Sequence, residues 1–137
     1  MHKATDNLIS HCPCCSGKSY SDCCSQYIDG RLLPTTPEQL MRSRYTAYSL
    51  VKIDYIIKTM KGSALKEFDP ESAKQWAQQV KWTRLKIRKS QWGKSRGFVE
   101  FFAYYLFNHQ EHTLHEISEF HFEIDRWYYT GQKKGEK

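Results

Sequence analysis

The 137-residue sequence predicts an α+β fold, in which helices from the first half pack on one face of a curved antiparallel sheet from the second. Helix start signals and helical apolar spacing run up to about residue 80, and long apolar or alternating runs follow. All five cysteines lie between positions 12 and 24, which indicates a small unit ahead of the main domain. We therefore divide the chain into a flexible N-terminus (1–11), a cysteine-rich unit (12–30), a main domain (31–131) and a polar tail (132–137).

Three helix starts are visible in the first half. Thr36 is the expected N-cap of the first helix, with Pro37 in its first turn and Gln39 completing a capping box. A second helix is expected over 54–60, capped by Asp54 and ended by Gly62-Ser63, and a third begins at Asp69-Pro70. Helical spacing predicts two buried stripes on these helices: Met41, Tyr45 and Tyr48, and then Trp76, Ala77 and Val80.

Four strands are expected over 82–90, 98–107, 112–124 and 127–129. The run 98–107 is apolar on both faces, which predicts a strand covered on both sides. In the third strand, alternation predicts these inward-facing apolar side chains: Leu114, Phe120, Phe122 and Ile124. Short loops between the strands favour antiparallel neighbours.

The formal net charge of +6 is a modest excess and gives only weak support for binding to nucleic acid. No stretch approaches the roughly 18 apolar residues of a membrane span. The first eleven residues contain no apolar run long enough for a signal peptide. We therefore expect a cytoplasmic protein without a membrane partner, in which clustered cysteines are typical metal ligands.

The cysteine run reads CPCCSGKSYSDCC over residues 12–24. Four thiolates satisfy tetrahedral zinc in a closed shell that leaves no position for water. Free thiols or a redox pair are the alternative, and an iron–sulfur cluster is disfavoured because the usual C-x-x-C spacings are absent. The run therefore predicts one structural zinc ion.

The same run resembles the SEC-C motif, C-P-C-G-S-G-K-x-[YF]-x-x-C-[CH]. That resemblance implies the following zinc ligands: Cys12, Cys14, Cys23 and Cys24. Cys15 stands where the motif has glycine, and cysteine accepts the backbone angle that glycine permits only at a cost. Ligand exchange with Cys15 and a contribution from His11 stay open as alternatives.

Landmarks further along the chain extend the resemblance. They are LMRSRYTAY (40–48), FVEFFAYY (98–105), LHEISEF (114–120) and RWYY (126–129). In combination they are similar to the YchJ family, which implies a nuclear transport factor 2-like (cystatin-like) cone behind a SEC-C zinc knuckle. Many members carry a second SEC-C motif at the C-terminus. This sequence ends in GQKKGEK without that motif, so we expect no function that requires two knuckles.

The cone implied by the resemblance often holds a pocket between its helices and its sheet. The candidates for lining it are Arg42, Arg44, Tyr45, Tyr48, Glu116 and Ser118. Glu116 could act there as a general base or a ligand anchor. Alternatively, it forms a structural ion pair that fixes the helix on the sheet. We expect Glu116 to pair with Arg44 or, failing that, with Arg42.

Two further patterns have ordinary explanations. The histidines at 109, 112, 115 and 121 are poorly spaced for a metal, because His112 and His115 face opposite sides of a strand. Residues 81–96 carry seven basic side chains and no acid. They could face RNA, or they could be balanced by the acidic side chains that the following strands carry.

The sequence does not identify a reaction. We predict a cytoplasmic zinc-binding adaptor that docks on a protein partner through its knuckle, by analogy with the SecA tail, whose SEC-C motif engages an export chaperone. An enzyme or small-ligand binder that uses the pocket is one alternative, and a ribosome- or RNA-associated factor is another. Because the domain from residue 31 has its own core, we expect chelation to loosen residues 12–24 alone.

Overall fold

The computed structural model describes residues 11–133. The predicted flexible N-terminus, apart from His11, and positions 134–137 of the predicted tail lie outside the described residues. Over the described range, helices precede strands along the chain, and no helix there combines the length and hydropathy of a membrane span. The helical elements are a 3-10 turn (Tyr20–Asp22), α1 (Cys24–Ile28), α2 (Pro37–Ser49), α3 (Ile53–Lys58), α4 (Gly62–Lys66) and α5 (Pro70–Gln79). The strands are β1 (Lys81–Trp92), β2 (Arg96–Phe107), β3 (Gln110–Glu123) and β4 (Arg126–Gln132).

Helix α2 begins where the sequence predicts. The Thr36 side chain accepts a hydrogen bond from the Gln39 N–H at 3.1 Å, and Pro37 occupies the first helical position. The Gln39 side chain accepts from the Thr35 N–H at 2.7 Å instead of from the N-cap residue. Only half of the predicted capping box therefore forms.

The other helices agree with the prediction in part. The Asp69 carboxylate caps α5 by accepting two backbone N–H groups of its first turn. Helix α3 starts one residue before Asp54, which lies inside the first turn, and Gly62 starts α4 instead of ending a helix. On α5, Ala77 is buried as expected, whereas Trp76 is 38% exposed.

The strands that follow form one antiparallel sheet in the order β1-β2-β3-β4. In its register, Phe101 of β2 lies between Ile87 of β1 and Glu116 of β3. The β1–β2 ladder contains two register shifts, and such irregularities bend and twist a sheet. The predicted α+β architecture of helices packed on a curved antiparallel sheet is confirmed.

Strand β2 is covered on one face only, so the prediction of double coverage is wrong. Val99, Phe101 and Ala103 are at most 4% exposed. Phe102 and Tyr104, on the opposite face, are half-buried. Their rings pack on side chains of the neighbouring strands, as in the stacking of Phe102 on His115 at 4.4 Å. Cross-strand pairs of this kind cover apolar rings without a second layer of helices.

The end of β3 also differs from the prediction. Phe120 is fully buried, and Leu114, although 38% exposed, lines the cavity on the inner face. Phe122 is 37% exposed and Ile124 is 84% exposed. The strand ends at Glu123, and Ile124 and Asp125 form the turn to β4 with φ values of 46° and 72°. Two successive positive φ values are typical of the tight turns that join antiparallel strands.

The hydrophobic core is continuous between the cysteine-rich unit and the main domain. Cys12, Cys14 and Cys24 belong to the same buried cluster as Leu40 and Ile56, which are fully buried. Packing therefore crosses the domain boundary that we predict between residues 30 and 31, and the boundary itself stays a prediction.

Candidate metal centre and cavity

Tight backbone turns build the cysteine-rich unit. The Cys12 N–H donates to the Lys18 carbonyl at 3.0 Å, and the Cys15 N–H donates to the Cys12 carbonyl at 3.2 Å. Gly17 reverses the chain with a φ of 91°, a left-handed value that favours glycine. The second pair of cysteines stands at the start of α1, directly after the 3-10 turn. The two pairs consequently face each other.

Cys12, Cys14, Cys23 and Cys24 form one compact group. Their four Sγ atoms all lie within 4.8 Å of one another. The Sγ atoms of Cys14 and Cys23 are 3.7 Å apart, and those of Cys23 and Cys24 are 3.9 Å apart. Three of the side chains are buried and Cys23 is half-buried. Four thiols so arranged could bind a metal ion.

The close packing of these thiols couples their protonation. Hydrogen bonds from Cys14 and Cys24 lower the pKa of Cys12. The bond to Cys12, together with burial, raises the pKa of Cys14 to about 11, and the neighbouring sulfurs and burial raise the pKa of Cys24 as well. Like charges at such distances cannot all form without a cation between them. A metal that binds here therefore displaces protons.

Cys15 and His11 stand apart from the group. Cys15 is exposed, and its Sγ accepts the Leu85 N–H at 3.5 Å. Its φ of 65° falls in the left-handed region, so the departure from the motif occurs where the backbone favours glycine. His11 is exposed as well and contributes no atom to the four-sulfur group.

Helix α2 supports the cysteine loop from one of its faces. Arg42 Nη1 donates to the Cys14 carbonyl at 2.7 Å, and its Nε pairs with Glu38 at 3.0 Å. One turn further on, Thr46 Oγ1 lies 3.7 Å from Cys12 Sγ. Arg42, which the sequence analysis assigns to the pocket, therefore lies beside the cysteines and does not line the cavity. Side chains four apart share a helix face, and Arg42 shares the face of Thr46.

A cavity of about 600 Å³ lies between the helices and the sheet. It is lined by the other five pocket candidates, which are Arg44, Tyr45, Tyr48, Glu116 and Ser118. Much of the remaining wall is aromatic and consists of Phe68, Trp76, Trp82, Phe101, Phe120 and Tyr129. The volume and the apolar lining are typical of small-molecule sites.

Arg44 is a buried cation at the wall of this cavity, only 6% exposed. Its Nη1 donates to the Ile56 carbonyl at 3.0 Å and to Thr59 Oγ1 at 2.7 Å. The guanidinium carbon lies 4.4 Å from the centre of the Tyr129 ring, a cation–π contact. Burial lowers the pKa of Arg44, but an arginine stays charged at neutral pH.

Glu116 does not form the expected ion pair with Arg44. Its Oε2 accepts hydrogen bonds from Ser118 Oγ at 2.7 Å and from the Tyr129 hydroxyl at 3.1 Å. Burial and the charge of Glu116 raise the pKa of Tyr129, which therefore stays a hydrogen-bond donor. The sequence analysis missed Tyr129. Tyr129 lies two residues after the buried Trp127, so both side chains are on the inner face of β4. This alternation is the sequence signal that could have identified Tyr129.

Two of the three histidines of β3 pair with acids of the same sheet. His115 Nε2 lies 2.7 Å from Glu100 Oε2, and His121 Nε2 lies 3.1 Å from Glu119 Oε2. Hydrogen bonding to His115 lowers the pKa of Glu100. Over residues 11–133, these histidines join no group of side chains arranged to hold a metal.

Comparison with known sequences identifies the family. The family pattern described as "YchJ, middle NTF2-like domain" matches residues 36–132. The chain belongs to the YchJ family. A UPF0225 protein of Geobacter sulfurreducens is 38% identical over 126 residues, which cover 90% of this chain and 78% of that protein. A UPF0225 protein of Shewanella is 41% identical over 129 residues, which cover 88% of this chain and 78% of that protein.

Solved structures agree with that assignment. A SEC-C motif containing protein from Rhodopseudomonas palustris superposes with a TM-score of 0.85 at 35% identity, covering 91% of this chain and 98% of that one. A second SEC-C motif containing protein, from Psychrobacter arcticus, superposes with a TM-score of 0.79 at 28% identity, covering 95% of this chain and 88% of that one. The resemblance to the YchJ family and the nuclear transport factor 2-like fold are both confirmed. A structure described as a calcium/calmodulin-dependent protein kinase type II association domain, from Thiobacillus denitrificans, shares the fold alone. Its sequence identity is 9% and its TM-score is 0.53, and the match covers 74% of this chain and 99% of that one.

Proposed function

We propose that the four grouped cysteines bind one structural zinc ion. Zinc–sulfur bonds of roughly 2.3 Å give a tetrahedron with edges of about 3.8 Å. The Cys14–Cys23 and Cys23–Cys24 separations of 3.7 and 3.9 Å support this geometry. A closed shell of four sulfurs leaves no open position, so zinc here would stabilise structure and would not activate a substrate.

Elemental analysis and serine variants test the zinc proposal. Freshly purified protein should carry about one zinc per chain. Cys14→Ser and Cys23→Ser should abolish binding, whereas Cys15→Ser, the matched control, should retain it because Cys15 lies outside the group. Iron in place of zinc, or loss of zinc in the Cys15 variant alone, would contradict the assignment.

We further propose that this YchJ family member is a cytoplasmic adaptor whose knuckle region binds another protein. The supporting observation is a pair of leucines beside the knuckle, Leu32 and Leu33, which are 49% and 43% exposed. The Leu32 N–H donates to the Gln26 carbonyl at 3.0 Å, so this pair is held against α1. Adjacent exposed leucines on an ordered segment suit a protein contact. The exposed pair and the knuckle would form one docking surface.

Affinity capture can test the adaptor role if each capture has a matched control. Proteins captured by the zinc-loaded chain should be lost after chelation and lost with the double variant Leu32→Ser/Leu33→Ser. Leu106→Ser, which changes an exposed leucine on the sheet, should leave capture unchanged. A partner that is still captured after chelation and by the double variant would contradict docking through the knuckle.

A small-molecule function of the cavity is the second candidate. Its volume of about 600 Å³, its aromatic wall and the converging polar groups Arg44 and Glu116 favour it. Glu116 could serve there as a base, although two hydroxyl groups already occupy its Oε2. Finding a bound molecule in the cavity of protein purified from cells would support this function.

Association with RNA or the ribosome has less support. Arg96 Nε lies 2.7 Å from Glu119 Oε2, and Arg88 Nε lies 3.8 Å from Glu100 Oε2. Part of the basic stretch is therefore engaged by acidic side chains of the neighbouring strands, as the alternative explanation proposes. An affinity for RNA that falls steeply as the salt concentration rises would support this candidate.

A further inference from the structure

Arg44 is the feature of the cavity that the adaptor role does not explain. A buried charge is costly unless it is paired, and buried arginines are normally matched by a carboxylate. Over residues 11–133, no carboxylate oxygen lies within ion-pair distance of this guanidinium, and its direct acceptors are one carbonyl and one hydroxyl. In direct contact, the described residues supply only neutral oxygens and the face of the Tyr129 ring, and the charge of Glu116 acts on the guanidinium from beyond ion-pair distance.

The unused donors of Arg44 share one edge of its guanidinium. An arginine has five N–H donors, and both hydrogen bonds that Arg44 makes use Nη1. The Nε–H and Nη2 groups therefore have no acceptor among the described residues. Side-by-side donors of this kind match the two oxygens of a carboxylate. Because Arg44 lines the cavity, a molecule bound there is the available source of an acceptor for them.

We propose that the cavity binds a small carboxylic acid with an apolar, aromatic body, whose carboxylate pairs with the Nε–Nη2 edge of Arg44. This inference rests on the second candidate function and names its ligand class. The aromatic body is inferred from the wall, where Trp82, Phe101 and Phe120 line the same cavity as Arg44. Offset and edge-on contacts with such rings favour a flat aromatic group over a long aliphatic chain.

Glu116 has a positioning role in this arrangement. The hydrogen bond from the Tyr129 hydroxyl to Glu116 holds the Tyr129 ring, and that ring covers one face of the Arg44 guanidinium. Because Ser118 and Tyr129 both donate to Glu116 Oε2, the carboxylate is directed at hydroxyl groups and not at the arginine. The Nε–Nη2 edge is thereby left free for the carboxylate of a ligand.

Three probes of similar size and different charge test the proposal on the unmodified protein. Phenylacetate, phenylacetamide and phenethylamine are titrated separately, and their dissociation constants are measured by ligand-observed NMR. We expect phenylacetate to bind about tenfold more tightly than the amide, because charge-assisted pairing with the guanidinium is lost in the amide. Phenethylamine should bind most weakly.

Two matched arginine-to-lysine variants locate the interaction. Arg44→Lys keeps the charge but loses the paired donors and should weaken phenylacetate binding about tenfold. Arg88→Lys, on the outer face of the sheet, should leave it unchanged. Because the three probes are compared on the unmodified chain, the test stands even if the Arg44 variant fails to fold.

The results separate this inference from the function beneath it. Equal binding of acid and amide, or tighter binding of the amine, would overturn the carboxylate assignment while leaving a small-molecule cavity in place. If none of the three probes binds at up to about 10 mM, both the ligand class and the second candidate function fail.

Discussion

Cys15 holds a backbone conformation that suits a different residue. Its φ of 65° is left-handed, where a side chain costs on the order of 1 kcal/mol that glycine avoids. Cys15→Gly should therefore raise the free energy of unfolding of the zinc-loaded protein by about 0.5–1 kcal/mol, after allowing for the greater freedom of glycine in the unfolded chain. Chemical denaturation followed by tryptophan fluorescence measures this change.

Ser21 provides the matched control for that substitution. It lies in the right-handed 3-10 turn of the same unit, so Ser21→Gly should lower stability where Cys15→Gly raises it. Zinc content should be unchanged in both variants. Loss of zinc from the Cys15 variant would instead identify Cys15 as a ligand.

The Glu116 carboxylate gives a second prediction for a single residue. A direct ion pair with Arg44 would make Glu116→Gln cost on the order of 3 kcal/mol, because it would leave a buried cation without its partner. The observed bonds from Ser118 and Tyr129 need only an acceptor, which the glutamine carbonyl retains. We therefore expect a loss of about 1 kcal/mol or less in thermal melts.

Tyr129→Phe is the companion variant, since it removes one of those two bonds and leaves the carboxylate in place. Its cost should also be about 1 kcal/mol. A loss near 3 kcal/mol for Glu116→Gln alone would show that Glu116 acts as the counter-ion of Arg44 across a distance longer than an ion pair.

The residue-scale predictions from sequence succeed where the contact is local. The clustering of the cysteines follows from their spacing, but the choice of Cys12, Cys14, Cys23 and Cys24 over Cys15 rests on the resemblance to the SEC-C motif. The partners of Arg44 do not follow from spacing. Thr59 comes from the end of α3 and Tyr129 from β4, and neither carries a local signal for its partner.

At the scale of elements, helix α2 serves two sites with two faces. Arg42 and Thr46 face the cysteine loop, whereas Arg44 and Tyr48 face the cavity. The bond from Arg42 to the Cys14 carbonyl fixes the backbone beside a proposed ligand. Outer contacts of this kind typically alter metal affinity by 10- to 100-fold. Because Arg42 bonds to the backbone of Cys14 and not to its sulfur, we expect an effect on metal affinity near the lower end of that range, about tenfold.

Arg42→Met should accordingly increase the rate of zinc transfer to a competing chelator about tenfold. Arg31→Met is the control, because Arg31 is exposed and pairs with Asp29 beside the same unit. The transfer rate is followed with a colorimetric chelator in excess. Equal rates for the two variants would show that α2 does not stabilise the metal site.

Element boundaries are predictable where capping chemistry is explicit and less so elsewhere. Thr36 and Asp69 fix the starts of α2 and α5 through side-chain bonds to the first turn. Helix α4 has no side-chain cap, and the sequence gives no periodic signal for its five residues. Coverage of β2 on one face only is a tertiary effect, since aromatic runs can be satisfied by neighbouring strands as well as by helices.

For the whole molecule, the structure changes the expected relation between the metal and the domain. The cysteine-rich unit has few apolar side chains of its own, which suggests that it folds separately around zinc. Instead, Cys12, Cys14 and Cys24 pack into the cluster that contains Leu40 and Ile56. Losing order in the knuckle would uncover the side chains that pack on it, so we expect metal binding and domain stability to be coupled.

We therefore predict that chelation destabilises the entire chain and not residues 12–24 alone. A ligand that binds only the folded state adds its binding free energy to folding, and structural zinc binds strongly. Part of that energy should reach the domain through the contacts of Cys12 and Cys14 with α2. After zinc removal, the midpoint of the near-ultraviolet melt, which reports the packing of the aromatic core, should fall by roughly 5 °C or more.

Restoring zinc should restore the midpoint, whereas Cys14→Ser should melt at the lower temperature with or without zinc. A near-ultraviolet midpoint unchanged by chelation, with only residues 12–24 gaining hydrogen exchange, would show that the knuckle and the domain are energetically independent.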